Sequence, residues 1–152
     1  MEEKNYKNWQ PLKSRLQNEP DINRAFFHER EIWYCHLGEN IGFEQDGKGI
    51  DFLRPIIIIR KFNNEIFWGI PLTSNNKESI YYFKITTQDN VYGSAILSQI
   101  RLIDAKRLSY KVGDLPEEEF GELTKKLKAL IPWVLPCNLT LARESGRSHL
   151  SL

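Results

Sequence analysis

Arg54 stands between a glycine-rich stretch and the run Pro55-Ile56-Ile57-Ile58-Ile59, and Thr73 closes Pro71-Leu72-Thr73. A guanidinium offers a rigid fork of donors to paired anionic oxygens, and a hydroxyl can donate or relay a proton. Packing explains Arg54 poorly, because its stem would adjoin a buried apolar run. If 55–62 and 66–72 pair as a hairpin around Asn63-Asn64, Arg54 and Thr73 each lie nine residues from the turn and become neighbours. A joint site is one reading; two unrelated strand-end residues is the other. The loop before them, Gly38–Leu53, holds four glycines, which let backbone approach a ligand closely. Phe43 and Phe52 offer stacking faces, Lys48 a cation, and Glu44 and Gln45 hydrogen-bonding groups for base edges. That combination suits single-stranded RNA, with a merely mobile linker as the alternative.

Other chemistries lack their residues. There is no HExxH, paired CxxC, P-loop, GxSxG, or GxGxxG after a strand. His28, His36 and His149 form no i, i+4 pair and have no carboxylate companion at motif spacing, so each reads as structural. Cys35, in an expected strand, and Cys137, in the tail, make neither a disulfide framework nor a metal spacing and read as reduced thiols.

The elements that must position Arg54 and Thr73 are mostly strands. Residues 31–37, 55–62, 66–72, 80–86 and 94–100 are short runs of strand formers separated by turn residues, as in a small antiparallel sheet or barrel. The four isoleucines of 56–59 imply burial on both faces of their strand. From Pro116 to Ile131 the period changes to that of a helix, with Phe120, Leu123, Leu127 and Leu130 on one face. Glu117, Glu118 and Glu119 at its start and Lys125, Lys126 and Lys128 toward its end complement the helix dipole. Pro132 stops it. Ahead of the strands, Pro11 suits a first helical position, and Leu12 and Leu16 follow at i, i+4, so a short amphipathic helix is expected near 11–18. It reads as a packing appendage. Residues 132–152 show no clear period.

The 152 residues make one domain, with ordinary hydrophobic (41%) and charged (27%) fractions. With 21 basic against 20 acidic side chains, the chain lacks the basic excess of a dedicated duplex-DNA binder, though a local cluster can still serve RNA. The polar start, Met1-Glu2-Glu3-Lys4-Asn5, does not resemble a secretory leader, and no run is long and apolar enough to span a membrane.

Four blocks in order carry a resemblance: Gly42-Phe43-Glu44-Gln45, Arg54-Pro55-Ile56-Ile57-Ile58, Pro71-Leu72-Thr73-Ser74, and Ser98-Gln99-Ile100-Arg101-Leu102-Ile103-Asp104. Together with Ala105-Lys106-Arg107-Leu108 and the acidic helix start, they resemble the MazF/PemK toxin family over residues 29–131. The resemblance implies a mainly β member of the α+β class. That is a small SH3-like antiparallel β-barrel with a C-terminal helix, here with a short N-terminal helical extension. Residues 1–27 are then the extension, 28–131 the toxin-like domain and 132–152 a tail.

It further implies a cytoplasmic homodimer that cleaves single-stranded mRNA sequence-selectively. A cognate antitoxin would inhibit it at or near the RNA site. No cofactor, metal, membrane or duplex DNA is called for. Arg54 and Thr73 map onto the catalytic pair, Glu44 and Gln45 onto loop residues near the substrate, and Gln99 onto a strand position beside the site. Phe43, Lys48, Phe52 and Ser74 join them as candidate RNA contacts.

Three departures stand out. Phe43 replaces the usual serine or histidine, residues 46–53 form an insertion, and Ser98 replaces a frequent acid, so an aspartate acid/base scheme does not transfer. In the expected reaction the RNA 2′-OH attacks the adjoining phosphate, leaving a 2′,3′-cyclic phosphate and a 5′-OH. Arg54 would fork onto the non-bridging oxygens, and Thr73 would orient the phosphate or relay a proton. The rivals are a gyrase-directed toxin of the CcdB kind, a non-catalytic RNA-binding module and a structural interaction domain.

Overall fold

The computed structural model describes residues 3–86 and 93–132; Cys137, His149 and all of the tail after Pro132 lie outside them. Among the described residues, seven strands and two α-helices make up the fold: α1 (Tyr6–Asn18), β1 (Glu31–His36), β2 (Leu53–Lys61), β3 (Ile66–Thr73), β4 (Tyr82–Lys84), β5 (Ser94–Ile96), β6 (Arg101–Asp104), β7 (Leu108–Asp114) and α2 (Glu117–Ala129). All strand pairings are antiparallel and run β7-β1-β2-β3. The ladder then forks on β3. Its Ile66–Gly69 half pairs with β6, while Leu72 and Thr73 pair with β5, which pairs in turn with β4.

The isoleucine run sits in the middle of this bent sheet and feeds two cores by alternation. Ile56 and Ile58 pack with Phe27, Trp33, Cys35, Phe67 and Ile103 on one face. Ile57 and Ile59 pack with Ile70, Leu72, Leu97, Leu115 and Leu123 of α2 on the other. None of the four is more than 8% exposed, and burying each stabilises the fold by roughly 1.5–3 kcal/mol. Cys35 is fully enclosed in the first core, where burial pushes its thiol up to about 12. Helix α2 follows Pro116 as its N-cap and lays Phe120, Leu123 and Leu127, with Leu130 at its C-cap, on the second core. Buried Glu119 accepts from Thr86 N at 2.6 Å and so ties the helix to the segment that follows β4. No helix among the described residues is long and apolar enough to cross a membrane.

Several elements differ from the sequence expectation. Helix α1 begins at Tyr6, and Pro11 is its sixth residue. Asn5 caps it by accepting from Asn8 N at 3.4 Å, and the lost donor at Pro11 is tolerated because Trp9, Leu12 and Leu16 pack together with Phe52. The expected strand over 80–86 shortens to three residues. The run 94–100 breaks at Leu97 into a 3-10 turn, and a separate strand, β6, follows. Strand β7 was not expected at all. It is an edge strand with only Leu108 buried, so it carries no hydrophobic signal and forms by backbone pairing to β1. The loop 38–53 is far from structureless. Gly47 N donates to Gly38 O at 2.8 Å, and Lys48 and Leu53 exchange a bridge pair at 2.8 and 3.0 Å, folding the insertion back on itself.

Candidate active site

Strands β2 and β3 pair Ile56 with Pro71 and Ile57 with Ile70, so the same register carried outward sets position 54 opposite position 73. The turn does not have the two-residue form expected. It is Asn63-Asn64-Glu65, with Phe62 N donating to Ile66 O at 3.2 Å and the Asn63 side chain accepting from Glu65 and Ile66 N–H, both at 2.8 Å. A bulge at Ile59 shifts the register by one between Ile58 and Arg60. The longer turn and the bulge cancel, which is why counting from a two-residue turn reached the correct neighbour.

Arg54 is held by main chain on both sides. Its Nε donates to Asp46 O, and its Nη1 to Leu72 O at 3.1 Å. Nη2 has no partner among the described residues. Burial pulls the Arg54 pKa below the ordinary guanidinium value, and the Asp46 charge offsets part of that; a guanidinium starts so high that it stays a cation at neutral pH. Two concavities meet at this side chain. One, of about 370 Å³, is lined by Tyr34, Lys48, Leu53, Arg54, Thr73 and Ser74 among others. The other, of about 150 Å³, is lined by Gln45, Lys48, Arg54, Thr73, Lys77 and Tyr82 among others. Arg54, Thr73 and Lys48 line both, and among the described residues no carboxylate or imidazole lies on either wall. Thr73 Oγ1 accepts from Asn75 N at 3.3 Å, which leaves the hydroxyl proton to donate elsewhere. The arrangement can bind and neutralise a phosphodiester.

The sequence candidates divide. Lys48, Arg54, Thr73 and Ser74 share the larger concavity, and Gln45 borders the smaller. Phe43 is 94% exposed, and Glu44 turns back to accept from Ile41 N at 2.9 Å; neither lines either of these two concavities. Gln99 spends both ends of its amide on the loop, accepting from Gln45 N at 3.2 Å and donating to Phe43 O at 3.0 Å. Phe52 corrects the expectation most clearly. It is 3% exposed and packs on Trp9 with ring centroids 5.5 Å apart, so its ring is closed to a base. Ser98 is exposed and lines a separate apolar groove beside Trp68, Leu102 and α2.

His28 and His36 are engaged elsewhere, on Glu31 Oε1 at 3.1 Å and Asp51 O at 2.7 Å. Tyr34, Lys77 and Tyr82 went unnoticed in the sequence, since a tyrosine in a strand and a lysine in a polar loop look ordinary. Among the described residues no cluster of three His, Cys, Asp or Glu is placed to hold a metal ion.

Residues 28–131 match the profile of a family described as PemK-like, MazF-like toxin of type II toxin-antitoxin system. No curated protein is similar enough in sequence to match the chain. Among solved structures, MazF (Form-I) from Deinococcus radiodurans is similar at a TM-score of 0.58, with 17% identity over 70% of this chain and 97% of that one. An endoribonuclease in complex with its cognate antitoxin, from a mycobacterial species, gives 0.53, with 14% identity over 71% and 99%. MazE-MazF (Form-II) from Deinococcus radiodurans gives 0.54, with 16% identity over 70% and 97%. At such identities the likeness is one of fold.

Proposed function

The chain belongs to the PemK-like, MazF-like family of type II toxin–antitoxin toxins, and on that premise we propose that it is an endoribonuclease cleaving single-stranded mRNA at the Arg54–Thr73 cleft. The observation that carries this reading is the main-chain clamp on Arg54 beside Thr73 and Lys48. A guanidinium already fixed at two points loses little freedom when a phosphate arrives, so its charge is preorganised for the transition state.

The RNA supplies the nucleophile. Its 2′-OH attacks phosphorus and releases its proton to solvent, the 5′-oxygen of the next nucleotide departs and takes a proton from solvent, and the products are a 2′,3′-cyclic phosphate and a 5′-OH. Arg54, with Lys48 and Lys77 nearby, offsets charge growing on the non-bridging oxygens, and Thr73 orients the phosphate by donating a hydrogen bond from its hydroxyl. Thr73 is too weakly acidic to act as the base itself. Phe43, Gln45 and Ser74 are assigned to RNA contact outside the reacting phosphate. A second copy of the chain and a cognate antitoxin are the partners this reading supplies.

The test is cleavage of a mixed-sequence single-stranded RNA in EDTA, beside DNA of the same sequence. Cut RNA with cyclic-phosphate ends and intact DNA are expected. Uncut RNA across a varied pool, with folded protein, sinks the proposal.

Tyr34 gives the larger concavity an aromatic wall. Its ring stacks on Tyr110 with centroids 4.9 Å apart and planes inclined by 28°. An unstacked base beside the scissile phosphate can extend that stack, which is worth about 1–3 kcal/mol per base. Tyr34→Ala is therefore expected to raise KM about tenfold with kcat little changed, while Tyr34→Phe keeps wild-type KM. Unchanged KM in Tyr34→Ala would remove the base from this wall.

A further inference from the structure

We propose that helix α1, which lies outside the stretch matching the family profile, is a brace that positions Arg54 through the loop 38–53. The proposal rests on the reading of Arg54 as the phosphate-binding group. Three contacts join the helix segment to the loop. Trp9, 3% exposed, packs against Phe52 and sits so close to Gly38 that a Cβ there would lie 2.1 Å from its Cε2. Tyr6 Oη donates to Asn40 O at 3.0 Å. Lys4 Nζ pairs with one oxygen of Asp46, whose other oxygen accepts from Asn40 N at 2.6 Å. Asp46 then reaches the site through its carbonyl, which accepts from Arg54 Nε. Lys4 and Arg54 thus hold the same residue from opposite sides.

The loop needs such support. Four of its residues are glycine, and Phe52 is held at φ +50°, a conformation that an aromatic residue rarely adopts unless its surroundings impose it. Trp9, Leu12 and Leu16 supply those surroundings as a small apolar cluster separate from the two main cores. With the brace removed, Asp46 is free to drift and Arg54 loses one of its two clamps. Misplacing a catalytic group by about 1 Å can cost roughly 100-fold in rate.

The test compares full-length wild type with Lys4→Ala, Lys4→Arg and Trp9→Ala by two readouts: solvent exchange of the Arg54 Nε–H proton followed by NMR, and single-turnover cleavage of RNA. Lys4→Ala is expected to speed that exchange and to lower the cleavage rate about tenfold while KM and Tm stay near wild type. Lys4→Arg is expected to restore both readouts. Trp9→Ala is expected to lower the rate by about 100-fold, with the two main cores intact.

Wild-type exchange in both alanine variants would overturn the brace. Faster exchange with unchanged cleavage would overturn it too, since the loop would then be held without placing Arg54 for reaction. Failure of the wild type to cut RNA would count against the function instead, and Nε–H exchange would still decide whether α1 holds Arg54.

Discussion

Replacing Arg54 with alanine is expected to lower kcat/KM for RNA cleavage by about 10²–10³-fold, a loss of roughly 3–4 kcal/mol of transition-state stabilisation. Three facts set that size. The guanidinium is half-buried, so its charge acts where screening by water is reduced. It is fixed by Asp46 O and Leu72 O before any substrate binds. Among the described residues no carboxylate or imidazole lines the same concavities to share the work. Arg54→Lys keeps a charge but loses the fork and both clamps, so it is expected to fall within about tenfold of the alanine variant. The two lost main-chain hydrogen bonds cost about 1 kcal/mol each in stability, which circular dichroism and a melting curve will separate from the catalytic defect. A folded Arg54→Ala protein that cuts RNA at the wild-type rate would remove Arg54 from the chemistry.

The second large effect is one of stability, and it is tuned by pH. Glu31 opens β1, is 6% exposed, and accepts from His28 N at 2.9 Å, Trp33 Nε1 at 2.8 Å and Lys111 Nζ at 3.1 Å. Burial alone would raise its pKa. The hydrogen bonds from His28, Trp33 and Lys111 outweigh burial and bring it from 4.5 down to about 2. That fall corresponds to about 3 kcal/mol of folding free energy. Because the folded-state value is the lower one, the contribution is complete above about pH 4.5 and is lost as the pH falls through about 2. Glu31→Gln is therefore expected to be about 3 kcal/mol less stable at pH 7, with the gap closing as acid protonates the wild-type carboxyl. Urea midpoints at pH 7, 4 and 2.5 check this. A gap that stays constant across the three would show that the charge of Glu31 contributes nothing.

Glu31 also shows where sequence reading runs short. In the sequence it is one more acidic residue before a strand, and nothing marks it as the buried acceptor that joins β1 to β7 through Lys111. Both cooperating elements were hard to see. Strand β7 buries only Leu108, so it lacks the alternation by which strands are recognised. Lys111 on an exposed edge looks like any solvated lysine. The helical extension failed in a different way. Pro11 read as a helix start because proline is welcome at the first position, yet Trp9, placed before it and three residues from Leu12, is what seats the helix.

The chain order of residues determined a good deal by itself. Alternation and the isoleucine run set a strand buried on both faces, the shift to helical period after Pro116 set α2, and four ordered blocks identified the family. Counting from the turn also placed Arg54 opposite Thr73, although a three-residue turn and the bulge at Ile59 each broke the count and restored it together. These features are legible because they are local, depending on a residue's own type and a few neighbours. Tertiary structure alone decided which loop residues face the cleft. Phe43 and Phe52 are the same residue type in one loop, yet one is 94% exposed and the other 3%. The difference is made by Trp9, which covers Phe52 from 43 positions earlier in the chain, a link that no local pattern could make. The same holds for the Lys4–Asp46 pair and for Tyr34, whose place on the cleft wall follows from how β1 pairs with β2 and β7. Contacts between distant segments are fixed by packing, and packing is settled only when the whole chain has folded.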